Sequence, residues 1–532
     1  MGLFQTIRNL FTRSKNHMTN YTTTGRLDSV TDHPRIAVTA DEYDRIRTNL
    51  QYFKSEFDPI RYLNSDGDMQ TRAFNDLPIG RTAAKKLASL VYNEKAQITV
   101  ADEQANEFLQ KTLNDDRFNK NFERYLESCL ALGGLAMRPY IDGDKVRVAF
   151  VQAPVFFPLQ SNTQDVSSAA ILTKTRVADG RKYKYYSLLE FHDWADKPDG
   201  GNTYTITNEL YRSDTADALG ERAALSELYE DLAEVVNVEG ITRPLFTYLK
   251  PAGMNNKDIN SPLGLSIYDN AKPTIDFINR TFDEYMWEVR MGQRRVIVPE
   301  SMTRSKLVQD EHGHVTTRQR FDTDQNVFVA IGGGLDGNQI VDVTTAIRAE
   351  QYIATINQGL KLFEMLIGVS SGMFTFDGDG IKTATEVVSE NSDTYQTRNS
   401  LVTLVEQSLK ELAVSILELA AGAGLYSGHI VTVDEVSVDL DDGVFTDRQA
   451  ELNYWSQMYA AGACSRLTFI MKTRNLTEEE ALQEIAAIDG ELPQLPDLEE
   501  EIYKTKQPQT STDGEDEDEK APQDAQGAAD EV

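Results

Sequence analysis

The chain is 532 residues long and carries 53 Lys and Arg against 84 Asp and Glu, a formal net charge of −31 at pH 7. Its 40% hydrophobic and 26% charged residues are those of an ordinary globular protein with apolar cores, which excludes global disorder and collagen-like repeats. Two cysteines, Cys129 and Cys464, are too few for a disulfide framework or a four-cysteine zinc site and suit a reducing compartment.

No apolar run reaches the ~18 residues of a membrane-spanning helix, so no membrane association is expected. The start, MGLFQTIRNLFTRSK, lacks a secretory apolar core. It fits a myristoylation pattern through Gly2 and Thr6, but a short amphipathic helix explains the same residues without a lipid. Between Pro493 and Val532 there are 13 acidic and 3 basic residues without apolar periodicity, which predicts a disordered acidic tail. So acidic a chain is a poor general adhesive for nucleic acid, because tight binding needs Lys and Arg to displace counterions. A surface that lets DNA slide past would be acidic as well.

From about residue 41 to 262 the pattern is mixed α and β. RTAAKKLASLVYNE and ADEQANEFLQKTLNDDRFNKNFERYLESCLALGG predict three helices, the last ending at Gly133 and Gly134. LAMRPYIDGDKVRVAFV predicts a hairpin at Asp142–Gly143, and KYKYYSLLEFHDW and NTYTITNELYR predict further strands. Next, Ile267, Ala271, Ile275, Ile278, Phe282, Met286 and Val289 follow one another at 4, 4, 3, 4, 4 and 3, one face of a long helix that Pro273 either kinks or begins. A second long helix is written by Ile353, Ile356, Leu360, Phe363 and Ile367 at 3, 4, 3 and 4, and a β-like insert separates the two. After the Gly/Ser/Asp loop GVSSGMFTFDGDGIK, a capping box at Thr383–Glu386 opens a third helix to about Ala421. Its first half, SENSDTYQTRNS, is polar all round, so it either is not helical or crosses solvent; its second half has an ordinary packed face. Two or three helices then precede the tail.

Enzyme signatures are accidental in context. Gly332, Gly334 and Gly337 spell a dinucleotide motif but run into an extended segment rather than a helix. Gly368, Ser370 and Gly372 spell a nucleophile elbow, yet a helix precedes the serine where a strand is required, and nothing selects a partner among six histidines. Asp439, Asp441, Asp442 and Asp447, like Asp377 and Asp379, lack the calcium-loop spacing, and His312 and His314 read as turn residues. There is no phosphate-binding P-loop. No catalytic residue, metal or cofactor is expected.

The order of these features resembles the portal, or head-to-tail connector, proteins of tailed bacteriophages, particularly those infecting Gram-positive bacteria. The resemblance is carried by AKKLASLVYNEKAQITV, LALGGLAMRPYIDGDKVRVAFV, RPLFTYLKPAGMNNKDINSPLGLSIYDNA, WEVRMGQRRVIV, SSGMFTFDGDGIKTATEVVSENSDTYQTRNSL and VDLDDGVFTDRQAELNYWSQMYAAG. It implies an α+β, mainly helical portal fold with wing, two-helix stem, small β-containing clip and helical crown, assembled as a ring, usually of twelve. On this sequence it implies an N-terminal arm 1–40, wing 41–265, stem helices 266–291 and 344–367, clip 292–343, tunnel loop 368–382, a long helix 383–437 returning to the wing, crown 438–495 and acidic tail 496–532.

The ring would sit at one capsid vertex of the virion, after passing through the host cytoplasm. It would conduct double-stranded DNA in packaging and ejection, and meet the terminase large subunit, then the head–tail adaptor, besides the major capsid and scaffolding proteins. Tunnel-loop candidates are Phe374, Phe376, Asp377, Asp379 and Lys382; stem-channel candidates are Arg280 and Lys361. Clip docking candidates are Arg294, Arg295, Arg304, Lys306, Arg318 and Arg320, whose guanidinium and ammonium groups can pair with carboxylates. The alternatives are a ring-forming capsid or tail adaptor that conducts no DNA, and a hydrolase using Ser370.

Overall fold

The computed structural model describes residues 26–63, 67–93, 96–161, 165–196, 202–292, 296–297, 304–309, 315–320, 341–342, 346–374, 392–440, 448–474, 476 and 478–491. They fall into two compact units that divide after residue 446. In the first, helix α1 (Ala40–Lys54) is followed by a hairpin of β1 (Ile60–Leu63) and β2 (Met69–Arg72) and then by α2 (Ile79–Val91). Alanines at 83, 84 and 88 on the buried face of α2 let it pack closely beside Leu87 and Val91. Strand β3 (Gln97–Val100) leads to α3 (Glu103–Asp115), whose first turn is capped where Ala105 N–H donates to Asp102 Oδ1 at 2.8 Å, and to α4 (Phe118–Leu132). Helix α4 ends at Gly133, φ +96°, where a Cβ would lie 2.6 Å from the Gly264 carbonyl oxygen, so only glycine fits.

Strands β4 (Leu135–Asp142) and β5 (Lys145–Gln152) form the expected hairpin, with Asp142 paired to Lys145 and the two-residue loop at Gly143–Asp144, one position later than the sequence suggests. With β12 (Thr247–Leu249) they make a three-stranded sheet. The main sheet runs β10 (Glu221–Ala223), β9 (Asn202–Ser213), β8 (Lys182–Asp196), β7 (Val166–Asp179), β6 (Phe156–Ser161), with β11 (Val235–Val238) also pairing β9. All these pairs are antiparallel. Pairing of β8 with β9 begins at Tyr185, so β7 and β8 continue beyond the sheet as a bare two-stranded ribbon.

Helix α5 (Lys272–Met291) starts with Pro273 in its first turn, where the missing N–H costs nothing, so the proline begins the helix rather than kinking it. Helices α6 (Ala349–Ile367) and α7 (Ser392–Gly422) follow. Between α5 and α6 the described strands are β13 (Val296–Ile297) paired with β16 (Val341–Asp342), and β14 (Arg304–Gln309) paired with β15 (Val315–Arg320). Strand β17 (Val436–Asp439) pairs with β3. The second unit comprises α8 (Arg448–Ala460), α9 (Arg466–Arg474) and α10 (Glu478–Glu491), at the upper end of the two or three helices expected.

Helix α7 departs from its sequence reading in both halves. Its polar start is helical and does not cross solvent: Thr394 and Arg398 are buried, and Arg398 donates to the carbonyl oxygens of Leu90 (2.8 Å) and Leu440 (2.9 Å). These two residues face inward because they satisfy backbone groups at the end of α2, after β17 and at Ser370. Its second half is buried on every side from Leu412 to Ala420, and the buried Glu418 accepts hydrogen bonds from the N–H and hydroxyl of Thr242. The capping box at Thr383 lies outside the described residues.

Helix α5 is tied to the first unit by a stripe at Asp276, Asn279, Asp283 and Trp287, 3, 4 and 4 apart and so on one face. Tyr52 OH donates to Asp276 Oδ1 at 2.7 Å and Leu77 N–H to Asn279 Oδ1 at 3.0 Å. Arg72 makes a two-pronged ion pair with Asp283 (2.6 and 2.5 Å) and lies over the Trp287 ring at 4.8 Å, and the Asn75 N–H completes the carboxylate's set at 3.0 Å. Burial alone would raise the Asp283 pKa, but the hydrogen bonds from Arg72 and Asn75 outweigh it and hold the pKa below the usual carboxylate range. Asp283→Ala would leave the Arg72 guanidinium largely buried without its partner, so a loss of roughly 3 kcal/mol is expected in chemical denaturation. Because the pKa is depressed, that contribution is present above the unfolded value near 4 and fades on further acidification.

Candidate functional site: the paired helices and the loop root

Helices α5 and α6 are each close to 30 Å long at ~1.5 Å per residue. They run antiparallel, since Ile278, Tyr285 and Glu288 meet Gly359, Tyr352 and Arg348 in reverse order. They approach closely at Gly359, where a Cβ would stand 2.6 Å from Ile278 Cγ1. At the far end Arg348 grips Glu288 through its backbone N–H (2.9 Å), Nε (3.2 Å) and Nη2 (2.6 Å), and the rings of Tyr285 and Tyr352 lie 5.4 Å apart. These bonds from Arg348 hold the Glu288 carboxyl down at about 2.

The apolar stripes read from the sequence are covered over only part of their length. On α5, Ile275 and Ile278 are buried, but Met286 is 41% and Val289 40% exposed. On α6, Ile356, Leu360, Phe363 and Ile367 are buried while Ile353 is 41% exposed. The stripes therefore run on past the point where the subunit's own core ends. A second exposed apolar group, Phe277, Leu362, Met365 and Leu366, lies at the other end of the pair. By the ~100° rotation per residue it is on a different side of both helices.

Below α6 the chain turns at Gly368, φ +74°, whose carbonyl oxygen accepts a hydrogen bond from the Thr397 hydroxyl. The fully buried Glu364 carboxylate then takes the N–H groups of Gly372 (2.9 Å) and Phe374 (2.6 Å), one on each oxygen. Ser370 and Thr394 each donate their N–H to the other's hydroxyl oxygen, at 2.9 and 3.3 Å. Residues 368–374 are thereby fixed between the end of α6 and the start of α7. Sequence reasoning missed Glu364, although a carboxylate beside Phe363 and Ile367 on an apolar face is itself the sign of a buried acceptor.

The match that decides the family covers residues 32–493 and is to phage portal protein, SPP1 Gp6-like. The chain belongs to this portal family. It is accordingly a structural protein of the phage virion, of a capsid-associated multimeric kind. Curated protein sequences give no match. Among solved structures it is similar to a chain of a "Virion of native gene transfer agent (GTA) particle", at 12% identity, covering 79% of this chain and 90% of that one with a TM-score of 0.35. A likeness so loose carries no functional argument.

In this portal chain Arg280 on α5 and Lys361 on α6 are both exposed, with no ion pair among the described residues. Lys361 borders a groove of about 470 Å³ shared with Asp393, Gln396 and Thr397. The Phe374 ring packs within its own subunit, 6.1 Å from the Phe363 ring. Arg304 is registered opposite Arg320 and Lys306 opposite Arg318, so one two-stranded ribbon gathers four of the docking candidates. Arg294, Arg295, Phe376, Asp377, Asp379 and Lys382 lie outside the described residues.

The described histidines are engaged away from Ser370: His33 with Glu209, His192 with Tyr204, His429 with Glu435. Burial pushes His192 down to about 3, which keeps it neutral. Among the described residues no cluster of His, Cys, Asp and Glu is arranged to hold a metal ion, and no helix is long and apolar enough to cross a membrane.

Replacing Glu364 by Ala should remove the part-buried hydrogen bonds to the Gly372 and Phe374 N–H groups, a loss of roughly 1–3 kcal/mol each for bonds to a charged acceptor. Hydrogen exchange at Gly372 and Phe374 should then accelerate well beyond any change along α7. For the clasp at the far end, the folded Glu288 pKa of about 2 lies below the ~4.3 of an unfolded Glu. Its stabilisation is thus complete above that value and lost as pH falls from about 4.3 toward 2. Thermal unfolding of Glu288→Gln should lack this part of the acid limb.

Proposed function

We propose that the chain forms a ring whose axis conducts double-stranded DNA, that α5 and α6 are its stem, and that the loop 368–382 lines the narrow part of the channel. In this reading residues 41–265 with 384–437 form the wing, 292–343 the clip that docks terminase and later the adaptor, and 438–495 the crown. The observation that carries it is the half-covered pair of helices. A cyclic ring needs two different faces on each subunit, one meeting the other on its neighbour. The far stripe at Met286, Val289 and Ile353 and the patch at Phe277, Leu362, Met365 and Leu366 are two such faces. Completing the burial of these half-exposed side chains contributes roughly 1 kcal/mol each, repeated at every joint around the ring.

The loop root supports the same reading. A loop that leaves a rigid socket starts from the same place in every subunit, so copies of it can line one constriction. Ser370 is committed to Thr394 rather than to a base, which favours the structural role over hydrolysis.

Met286→Asp combined with Val289→Asp should convert rings to monomers in native mass spectrometry while circular dichroism stays unchanged. Rings that persist in the double variant would refute this placement of the joint. Ser370→Ala should change no hydrolytic rate; a rate abolished by it would favour the enzyme.

A further inference from the structure

The strongest local departure from the acidity of the chain is the free end of the ribbon formed by β7 and β8. Between Thr173 and Tyr186 stand five basic residues, Lys174, Arg176, Arg181, Lys182 and Lys184, against one acidic residue, Asp179. Two of the five are used locally: Lys174 Nζ donates to the Ala216 carbonyl oxygen at 2.9 Å, and Lys184 pairs with Asp179 at 3.0 Å. Arg176, Arg181 and Lys182 are exposed and have no carboxylate partner among the described residues. Arg176 is held in place nonetheless, its guanidinium lying 4.4 Å from the centroid of the Tyr183 ring.

The backbone presents these cations on a projecting rod. Asp179 pairs with Lys182 across a two-residue loop whose Gly180 has φ +63°, the conformation that turns a hairpin tightly. Since β9 stops opposite Tyr185, the last three residue pairs have no third strand beside them and extend ~10 Å past the sheet at ~3.3 Å per residue. A two-stranded ribbon of this kind fits a DNA major groove ~12 Å wide, and its cations can reach the flanking phosphates.

We propose that this ribbon tip is a second nucleic-acid contact, separate from the channel, which binds the phosphate backbone of duplex DNA without sequence preference through Arg176, Arg181 and Lys182. Charged strand ends also discourage aggregation, but either sign serves that purpose and this chain is otherwise acidic. Three exposed cations, one of them stacked on an aromatic ring, fit a polyanion. The proposal rests on the portal reading for its ligand, since that reading makes duplex DNA the polyanion beside the protein.

The test is fluorescence anisotropy of a labelled random-sequence duplex with full-length rings, from about 50 to about 200 mM salt. Three phosphate contacts give a log–log salt slope of about −2.7, an affinity loss of about 40-fold over that range. The triple variant Arg176→Gln, Arg181→Gln, Lys182→Gln should lose most of this binding and most of the slope while still forming rings. If the triple variant does not fold, Arg181→Gln alone, at an exposed turn position, should flatten the slope by about 0.9.

Undetectable binding by the parent protein at the lowest salt would overturn the proposal, as would substitutions that leave affinity and slope unchanged. Labelled polyglutamate bound as tightly as DNA would overturn it in favour of an acidic protein partner. Such failures would leave rings with an open axis visible by electron microscopy, whereas failure of the portal reading would remove those rings.

Discussion

The rest of the structure depends on an apolar stripe that is longer than the core available to cover it. On α5 the stripe begins in the core at Ile275 and Ile278 and continues to Met286 and Val289, which the first unit covers only in part. Helix α6 repeats the situation, with Ile353 open beyond Ile356. A monomer would be expected to carry polar residues there, because exposed apolar area offers no stability and invites association. In the ring proposed above, the same area is the surface by which one copy meets the next.

Helices used in this way must not tilt, and much of the polar chemistry in the first unit serves that need. The Arg72 fork on Asp283, the Tyr52 bond to Asp276 and the Leu77 bond to Asn279 fasten one face of α5 along about two turns. Arg348 and Glu288 close the far end of the pair, and Gly359 permits the close approach nearer the core. Beyond α6, Glu364 passes this order on to residues 368–374 through backbone N–H groups, whose positions vary less than those of side chains.

Much of this was legible in the sequence because periodicity is a local signal. The helices at 79–91, 103–115 and 118–132, the hairpin at Gly143 and both long helices follow from apolar spacing and turn residues. Pairings between distant residues were not legible. Nothing local ties Arg72 to Asp283, 211 positions away, or Glu418 to Thr242. Polarity alone does not say that part of the run 392–400 turns inward: Thr394, Thr397 and Arg398 bond backbone groups of Ser370, Gly368 and Leu90, while its other polar residues face solvent. At the candidate site, spacing located the stripes, but where burial stops along a stripe depends on the whole fold.

The most direct measurement is electron cryomicroscopy of the purified full-length protein at a resolution that traces helices. A closed ring is expected, with an axial opening of ~30–40 Å, enough to pass a duplex whose major groove alone is ~12 Å wide. Helices 272–291 and 349–367 should surround the opening, and Met286, Val289 and Ile353 should be covered by the neighbouring copy. A monomer, or a ring in which these two helices lie away from both the axis and the joints, would contradict the proposal.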